Sequence, residues 1–262
     1  MSNLNGQAPR PLIEVRDLSL RFGGINALSG VSFNMSAGTI LGVIGPNGAG
    51  KTALLNCVCG VYRPQEGSMV FAGHDIRGLR PEQITALGIS RTFQGMDHFS
   101  EFRVIDYVMV GRTFRLSRSA VLSALRWPTA ERSERRERAE VTELLAQCGL
   151  LEYADEPLNE IPYGVQKQVD VARVIASGCK LGLLDEPTSG TTSSERAIIS
   201  RSIELLTQRG IALILIDHDV DFVTKHCDEL LALGSGLPLA TGPTRNVLAD
   251  NKVREAFLGL AV

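Results

Sequence analysis

Phosphate chemistry is written at residues 45–52, where Gly45, Pro46, Asn47, Gly48, Ala49, Gly50, Lys51 and Thr52 fit the spacing G-x-x-x-x-G-K-T. Glycines in these places let backbone N–H groups converge on anionic oxygens, and a following helix adds the partial positive charge of its N-terminus. Lys51 is placed to reach β- and γ-phosphates, and the Thr52 hydroxyl to ligate Mg2+. A second set of groups lies in Leu181-Gly182-Leu183-Leu184-Asp185-Glu186-Pro187. Here an apolar strand delivers two carboxylates at its carboxyl end, where open α/β sheets bind ligands. Asp185 would hold Mg2+ through its hydration shell, and Glu186 would polarise an attacking water.

Two polar residues stand at strand ends in the same manner, Gln94 after Ile-Ser-Arg-Thr-Phe and His218 after Ile211 to Asp217. Beside the first two motifs, Gln94 is expected to sense Mg2+ and the lytic water, and His218 to hydrogen-bond the γ-phosphate. Phe22, just before a Gly-Gly turn, offers a ring to adenine.

These groups need strands and loops to carry them. Ile13, Val15, Leu18, Leu20 and Phe22, then Val31, Phe33 and Met35, alternate as antiparallel strands with one wet face. The continuous apolar run from Ile40 suits a strand buried on both faces, and a helix follows from about Gly50 to Gly60. Pro81 and Gly88 bracket a short helix. The middle of the chain reads as helical, including Val104 to Val110 and a charged stretch with Val141, Leu144 and Leu145 on one side. Its run Glu131 to Glu140 mixes both signs, which predicts a solvated helix face. Thr192 and Glu195 form a capping-box pattern, and Leu230 to Leu233 with the Gly-Ser-Gly turn predict a late hairpin. The class is α/β: a mainly parallel core sheet, an N-terminal antiparallel edge and an inserted helical subdomain. The expected division is one domain over 1–262, with the helical insert at 95–178 and the nucleotide-binding core at 1–94 and 179–262.

Composition narrows the partners. The 262 residues are 44% hydrophobic, enough for a proper core, and 27 basic residues against 29 acidic leave a net charge of −2. No broad positive field attracts nucleic acid. Five cysteines, with Cys57 and Cys59 at the wrong spacing for C-x-x-C, favour reduced thiols over a disulfide framework or a zinc site. The opening residues lack a signal pattern, and no apolar run approaches the roughly 20 residues of a membrane span. A cytosolic chain is expected, with peripheral attachment to a membrane protein open.

In the order Phe22, Gly45 to Thr52, Gln94, a helical insert, Ile161-Pro162-Tyr163-Gly164-Val165, Asp185-Glu186 and His218, the chain resembles the ATP-binding subunits of ABC transporters over essentially its whole length. The segments Arg21 to Gly24, Ile89 to Gln94, Pro162 to Gly164, Trp127-Pro128 and Ala256 to Leu260 are most similar to the paired ATPase subunits of bacterial importers for branched-chain and related hydrophobic amino acids. The resemblance implies a P-loop NTPase fold of the ABC type and ATP hydrolysis coupled to transport. It also implies a head-to-tail dimer in which ATP on one subunit's Walker A loop is covered by the other's signature loop. The implied partners are a second ATP-binding subunit, the same or distinct, integral membrane permeases and, indirectly, a periplasmic solute-binding protein, at the cytoplasmic face of the inner membrane.

Two departures from the family pattern stand out. The usual signature L-S-G-G-Q becomes Ile161 to Val165, with only Gly164 kept. Pro162, Tyr163 and Gly164 are the residues expected against the partner's nucleotide, ahead of a helix starting near Gln166. Loss of the serine hydroxyl removes a charge-assisted hydrogen bond of about 1.5–3 kcal/mol. Pro-Tyr-Gly is itself a subgroup feature, whereas Val165 is not. The D-loop after Walker B, often S-A-L-D or A-G-L-N, reads Ser189, Gly190, Thr191, Thr192 here, with Thr192 also expected as a helix cap. Residues 95–108, with Met96, Phe99 and Phe102, suit either a groove for a permease helix or ordinary core packing. Other readings are a urea or amide importer, a lipid or lipopolysaccharide exporter, and a non-hydrolysing regulatory cassette. A soluble repair or translation ATPase fits poorly, since the chain holds one cassette and no basic field.

Overall fold

The structure is a computed structural model and describes residues 10–93, 97–112 and 127–258. In chain order its elements are β1 (Ile13–Phe22), β2 (Ile25–Met35), β3 (Ile40–Ile44), α1 (Lys51–Val58), β4 (Glu66–Phe71), β5 (His74–Asp75), α2 (Pro81–Leu87), β6 (Ile89–Arg91), α3 (Val104–Val110) and α4 (Trp127–Gln147). They continue with α5 (Tyr163–Ser177), β7 (Leu181–Asp185), α6 (Ser193–Gln208), β8 (Ala212–Ile216), α7 (Val220–His226), β9 (Glu229–Gly234), β10 (Leu237–Pro243), α8 (Thr244–Ala249) and α9 (Asn251–Leu258). They fall into two compact units, Met1–Leu87 with Cys227–Val262, and Gly88–His226.

In the first unit an antiparallel sheet runs in the order β2-β1-β4-β5. Along β1 the residues Ile13, Val15, Leu18 and Leu20 are buried, and the alternation slips at Asp17, which takes a φ of +49°. The register against β2 shifts there, as expected of a β-bulge, and Asp17 N–H donates to Ser32 Oγ at 2.8 Å. All five residues of β3 are buried, and β3 pairs in parallel with β9. Asp228 Oδ2 accepts from Ile40 N–H at 2.8 Å and fixes where β3 begins. The expected late hairpin is β9 with β10.

In the second unit β7 lies between β6 and β8, parallel to both, and every residue of β7 and β8 is buried. Helix α5 is buried along much of its length, and its interior includes the polar side chains Gln168, Asp170 and Arg173. Asp170 uses both oxygens: Oδ2 accepts from Phe93 N–H at 2.6 Å, and Oδ1 from Tyr107 O–H at 2.8 Å and Arg173 Nε at 2.9 Å. Arg173 also lies over the Phe93 ring, 4.1 Å from its centre, and donates to the Arg91 carbonyl at 2.5 Å. This cluster ties α5 to α3 and to the chain that leaves β6.

On α4, Val141, Leu144 and Leu145 are buried as the pattern indicates. The charged run is more than a solvated face. Glu137 and Glu140 clamp Arg112, which is itself buried, and Arg138 pairs with Asp106 at 3.0 Å. Hydrogen bonds from Arg112, then Arg136, hold the Glu140 carboxyl below the usual range. The run looked solvated because its partner Arg112 stands on a different element.

Candidate functional site

In the first unit, the chain turns from β3 into the loop at Gly45 and enters α1 at Gly50. Both glycines are forced by close approach: a Cβ on Gly45 would stand 2.3 Å from the Leu233 carbonyl oxygen, and one on Gly50 2.5 Å from that of Ala27. The loop is therefore seated tightly on its inner side, while Pro46, Asn47 and Gly48 are exposed. Ala49 N–H is bonded to the Pro46 carbonyl at 3.2 Å. The buried Lys51 ammonium draws the carbonyls of Gly45 and Pro46 toward itself, donating at 2.6 and 3.0 Å. With those oxygens turned to Lys51, the electropositive side of the loop is left for an anion. Gly50 provides no side-chain cap for α1, a helix start whose dipole suits a phosphate, and Thr52 is exposed. A nucleotide phosphate fits this cradle.

Phe22 ends β1 and is 47% exposed, and Tyr62 meets its ring edge-on at 4.9 Å between ring centres. Sequence reasoning missed Tyr62, which sits in an irregular stretch beyond α1 where no periodicity marks it. Gln65 steadies this end of β1, accepting from Arg21 N–H at 2.9 Å and donating to the Arg21 carbonyl at 3.3 Å.

In the second unit, Asp185 closes β7 and is buried, and Arg91 from β6 donates to its Oδ2 at 2.8 Å. Asp185 N–H donates to Thr92 Oγ1 at 3.0 Å. Glu186 follows with a φ of +50°, a left-handed conformation that costs a non-glycine residue about 1–2 kcal/mol. It is held there by its N–H on the Ile216 carbonyl at 2.8 Å and by Lys167 Nζ on its own carbonyl at 3.4 Å. The twist brings Glu186 Oε1 to 2.8 Å from His218 Nε2. Beneath them the buried Asp217 fastens the two strand ends, with Oδ2 accepting from Thr188 N–H at 3.1 Å and Thr188 Oγ1 at 2.7 Å. Glu186 and His218 are thus brought together. Gln94 and Met96 lie outside the described residues. Arg91, Lys167 and Asp217 went unnoticed in the sequence, although Arg91 and Asp217, like Asp185, stand at or just past the ends of parallel strands.

Helix α5 begins at Tyr163 with Pro162 as its N-cap, three residues before the expected start near Gln166. A proline's fixed φ serves that boundary well. Gly164 and Val165 are buried, while Tyr163 is 54% exposed. Thr192 caps α6 in the expected capping box, and the buried Thr191 hydroxyl donates to the Thr188 carbonyl at 2.7 Å. Phe99 rests on Tyr107 with ring centres 5.3 Å apart, and its neighbours Phe93 and Phe102 are each 43% exposed.

A phosphate cradle between a buried strand and a helix, together with a parallel strand ending in paired carboxylates, defines a P-loop nucleotide-binding protein. The profile described as ABC transporter matches residues 28–189. The chain is 31% identical over 256 residues to the high-affinity branched-chain amino acid transport ATP-binding protein BraF of Pseudomonas aeruginosa, covering 96% of this chain and 99% of the relative. It is 32% identical over 253 residues to the corresponding LivG protein of Escherichia coli K12, with the same coverage. Among solved structures, a nucleotide-free ATP-binding cassette from an ABC transporter superposes with a TM-score of 0.81 at 26% identity, over 96% of this chain and all of that one. An ADP-bound cassette gives 0.80 at 25% identity with equal coverage. The chain belongs to the ABC transporter family, as an ATP-binding cassette with ATPase activity. Among the described residues no helix is long and apolar enough to cross a membrane.

Proposed function

We propose that the chain is the ATP-hydrolysing motor of a bacterial importer for branched-chain or related hydrophobic amino acids. The observation that carries the motor reading is the Glu186–His218 pair at 2.8 Å, set directly behind Asp185 by a strained backbone. The same left-handed φ at Asp17 serves only a β-bulge, so it is the carboxylate–imidazole pairing at the end of a parallel strand, and not the strain alone, that supports the reading. The solute is inferred from the relatives, whose names assign them to branched-chain amino acid transport.

Lys51 and backbone N–H groups of the loop at 45–52, excepting Pro46, which has none, and Ala49, bind the phosphates, and Phe22 with Tyr62 supports the base. Glu186 orients and deprotonates the attacking water, and His218 holds the Glu186 carboxylate and reaches the γ-phosphate. The hard oxygen donors of Thr52, Gln94 and Asp185 suit Mg2+, with Asp185 acting through a water. Held there, Mg2+ would offset phosphate charge. Pro162, Tyr163 and Gly164 close on the nucleotide of a second cassette. Residues 95–178 act as the helical insert, and its segment 95–108, in which Phe102 is exposed and Phe99 partly so, receives a permease helix at the cytoplasmic face of the inner membrane. A periplasmic solute-binding protein supplies the amino acid.

Phe22→Ala is expected to weaken ATP binding about 5- to 150-fold, from the roughly 1–3 kcal/mol of a base–aromatic stack. Titration with a fluorescent ATP analogue measures it, and unchanged affinity removes Phe22 from the site. The reading as a whole is tested by reconstitution with the permease subunits in proteoliposomes containing ATP. Leucine, isoleucine or valine uptake with accompanying hydrolysis is expected. Hydrolysis without such uptake overturns the solute, and absence of hydrolysis overturns the motor.

A further inference from the structure

The geometry points to a lock within one chain between the signature turn and the turn after Walker B, in which Glu195 is the positioning residue for Gly164. The inference rests on the motor reading above. Gly164 lies in the first turn of α5, and a Cβ placed on it would stand 2.0 Å from both Cδ and Oε1 of Glu195 and 2.6 Å from Oε2. A glutamate tip usually swings away from such a clash, but this one is fastened. Its Oε2 accepts from Thr192 N–H at 2.7 Å and from the Thr192 hydroxyl at 2.8 Å. These bonds, the backbone one foremost, hold the carboxyl below its usual range.

Two further contacts join the same stretches. The Tyr163 ring lies 3.1 Å from where a Cβ on Gly190 would stand, and Lys167 reaches the Glu186 carbonyl. Ile161 and Val165, on either side of the turn, are buried. Residues 161–167 and 186–195 therefore seat as one block, and the carboxylate of Glu195 sets the position of the signature turn.

This accounts for both departures from the family pattern at once. Gly164 alone is kept because the wall behind it belongs to its own chain, whereas Val165 is free to change to an apolar residue that anchors the turn. Thr192 suits the lock because its hydroxyl donates to Glu195. Asn has an N–H to offer in its place, but an ionised Asp has no proton to donate and sets a second negative charge beside the carboxylate. The commoner family residue is thus the wrong one for this chain.

The test is a double-mutant cycle on the full chain assembled with its permease partners, reading kcat and KM for ATP. Gly164→Ala is expected to lower kcat about tenfold, within the range of couplings between touching residues, with KM little changed. In the Glu195→Ala background the same substitution is expected to have about a third of that effect or less on a logarithmic scale. Thr192→Asp is expected to act like Gly164→Ala, while Thr192→Asn and Glu195→Gln keep most of the turnover. An equal loss from Gly164→Ala in both backgrounds, or none in either, overturns the lock. Should the wild-type assembly fail to hydrolyse ATP, the motor reading falls. The lock is then read from melting temperatures in the same cycle, where additive shifts overturn it.

Discussion

Glu186→Gln is expected to reduce ATP turnover by about a hundred- to ten-thousandfold, the contribution typical of a general base, while leaving ATP binding intact. The carboxylate stands 2.8 Å from His218 Nε2, at hydrogen-bond distance, and the amide of Gln fills the same space. What is lost is the basicity that accepts the proton from water, so the defect falls on kcat and not on KM. The variant should accumulate an ATP-bound dimer. Single-turnover hydrolysis and gel filtration with ATP check the two halves of this expectation. Unchanged steady-state turnover removes Glu186 from the catalytic role.

Asp170→Ala carries the largest expected effect on stability. Arg173 is almost wholly buried, and burial works against its charge; the Asp170 carboxylate beside it, together with Tyr107, offsets this and lifts its pKa above the usual value. Removing the carboxylate strands a buried guanidinium and leaves Tyr107 O–H and Phe93 N–H without their acceptor. Breaking a buried pair costs about 3–5 kcal/mol. At about 2–4 °C per kcal/mol for a chain of this size, the melting temperature should fall by about 6–20 °C. Calorimetry or dichroism on the purified chain measures it, and a fall of only a degree or two overturns the account.

What the sequence disclosed, and what it withheld, follows from how far apart the cooperating residues are. The phosphate loop was legible because its glycines, Lys51 and Thr52 are consecutive and lie between a wholly apolar strand and a helix. The buried strands β3, β7 and β8 were legible from unbroken apolar runs, and the α6 cap from two residues three positions apart. Arg91 with Asp185, and Phe93 and Tyr107 with Asp170, are joined only by the fold, so no local spacing announces them. Helix α5 was harder still. Because it is enclosed by α3, α6 and β6 together, polar residues occur on buried faces, and its periodicity does not separate inside from outside. The early start of α5 is not announced by apolar spacing, since Pro162 reads equally as a loop residue and, through its restricted φ, as a helix boundary.

The left-handed backbone at Glu186 has a consequence for how such a chain would drift. Glycine, or to a lesser degree asparagine, would sit at this position with less strain than glutamate does, and would relieve about 1 kcal/mol. A lineage, or a laboratory screen, rewarded only for surviving heat would therefore tend to discard this side chain among its early changes. With Glu186 proposed as the general base, the side chain trades durability for turnover.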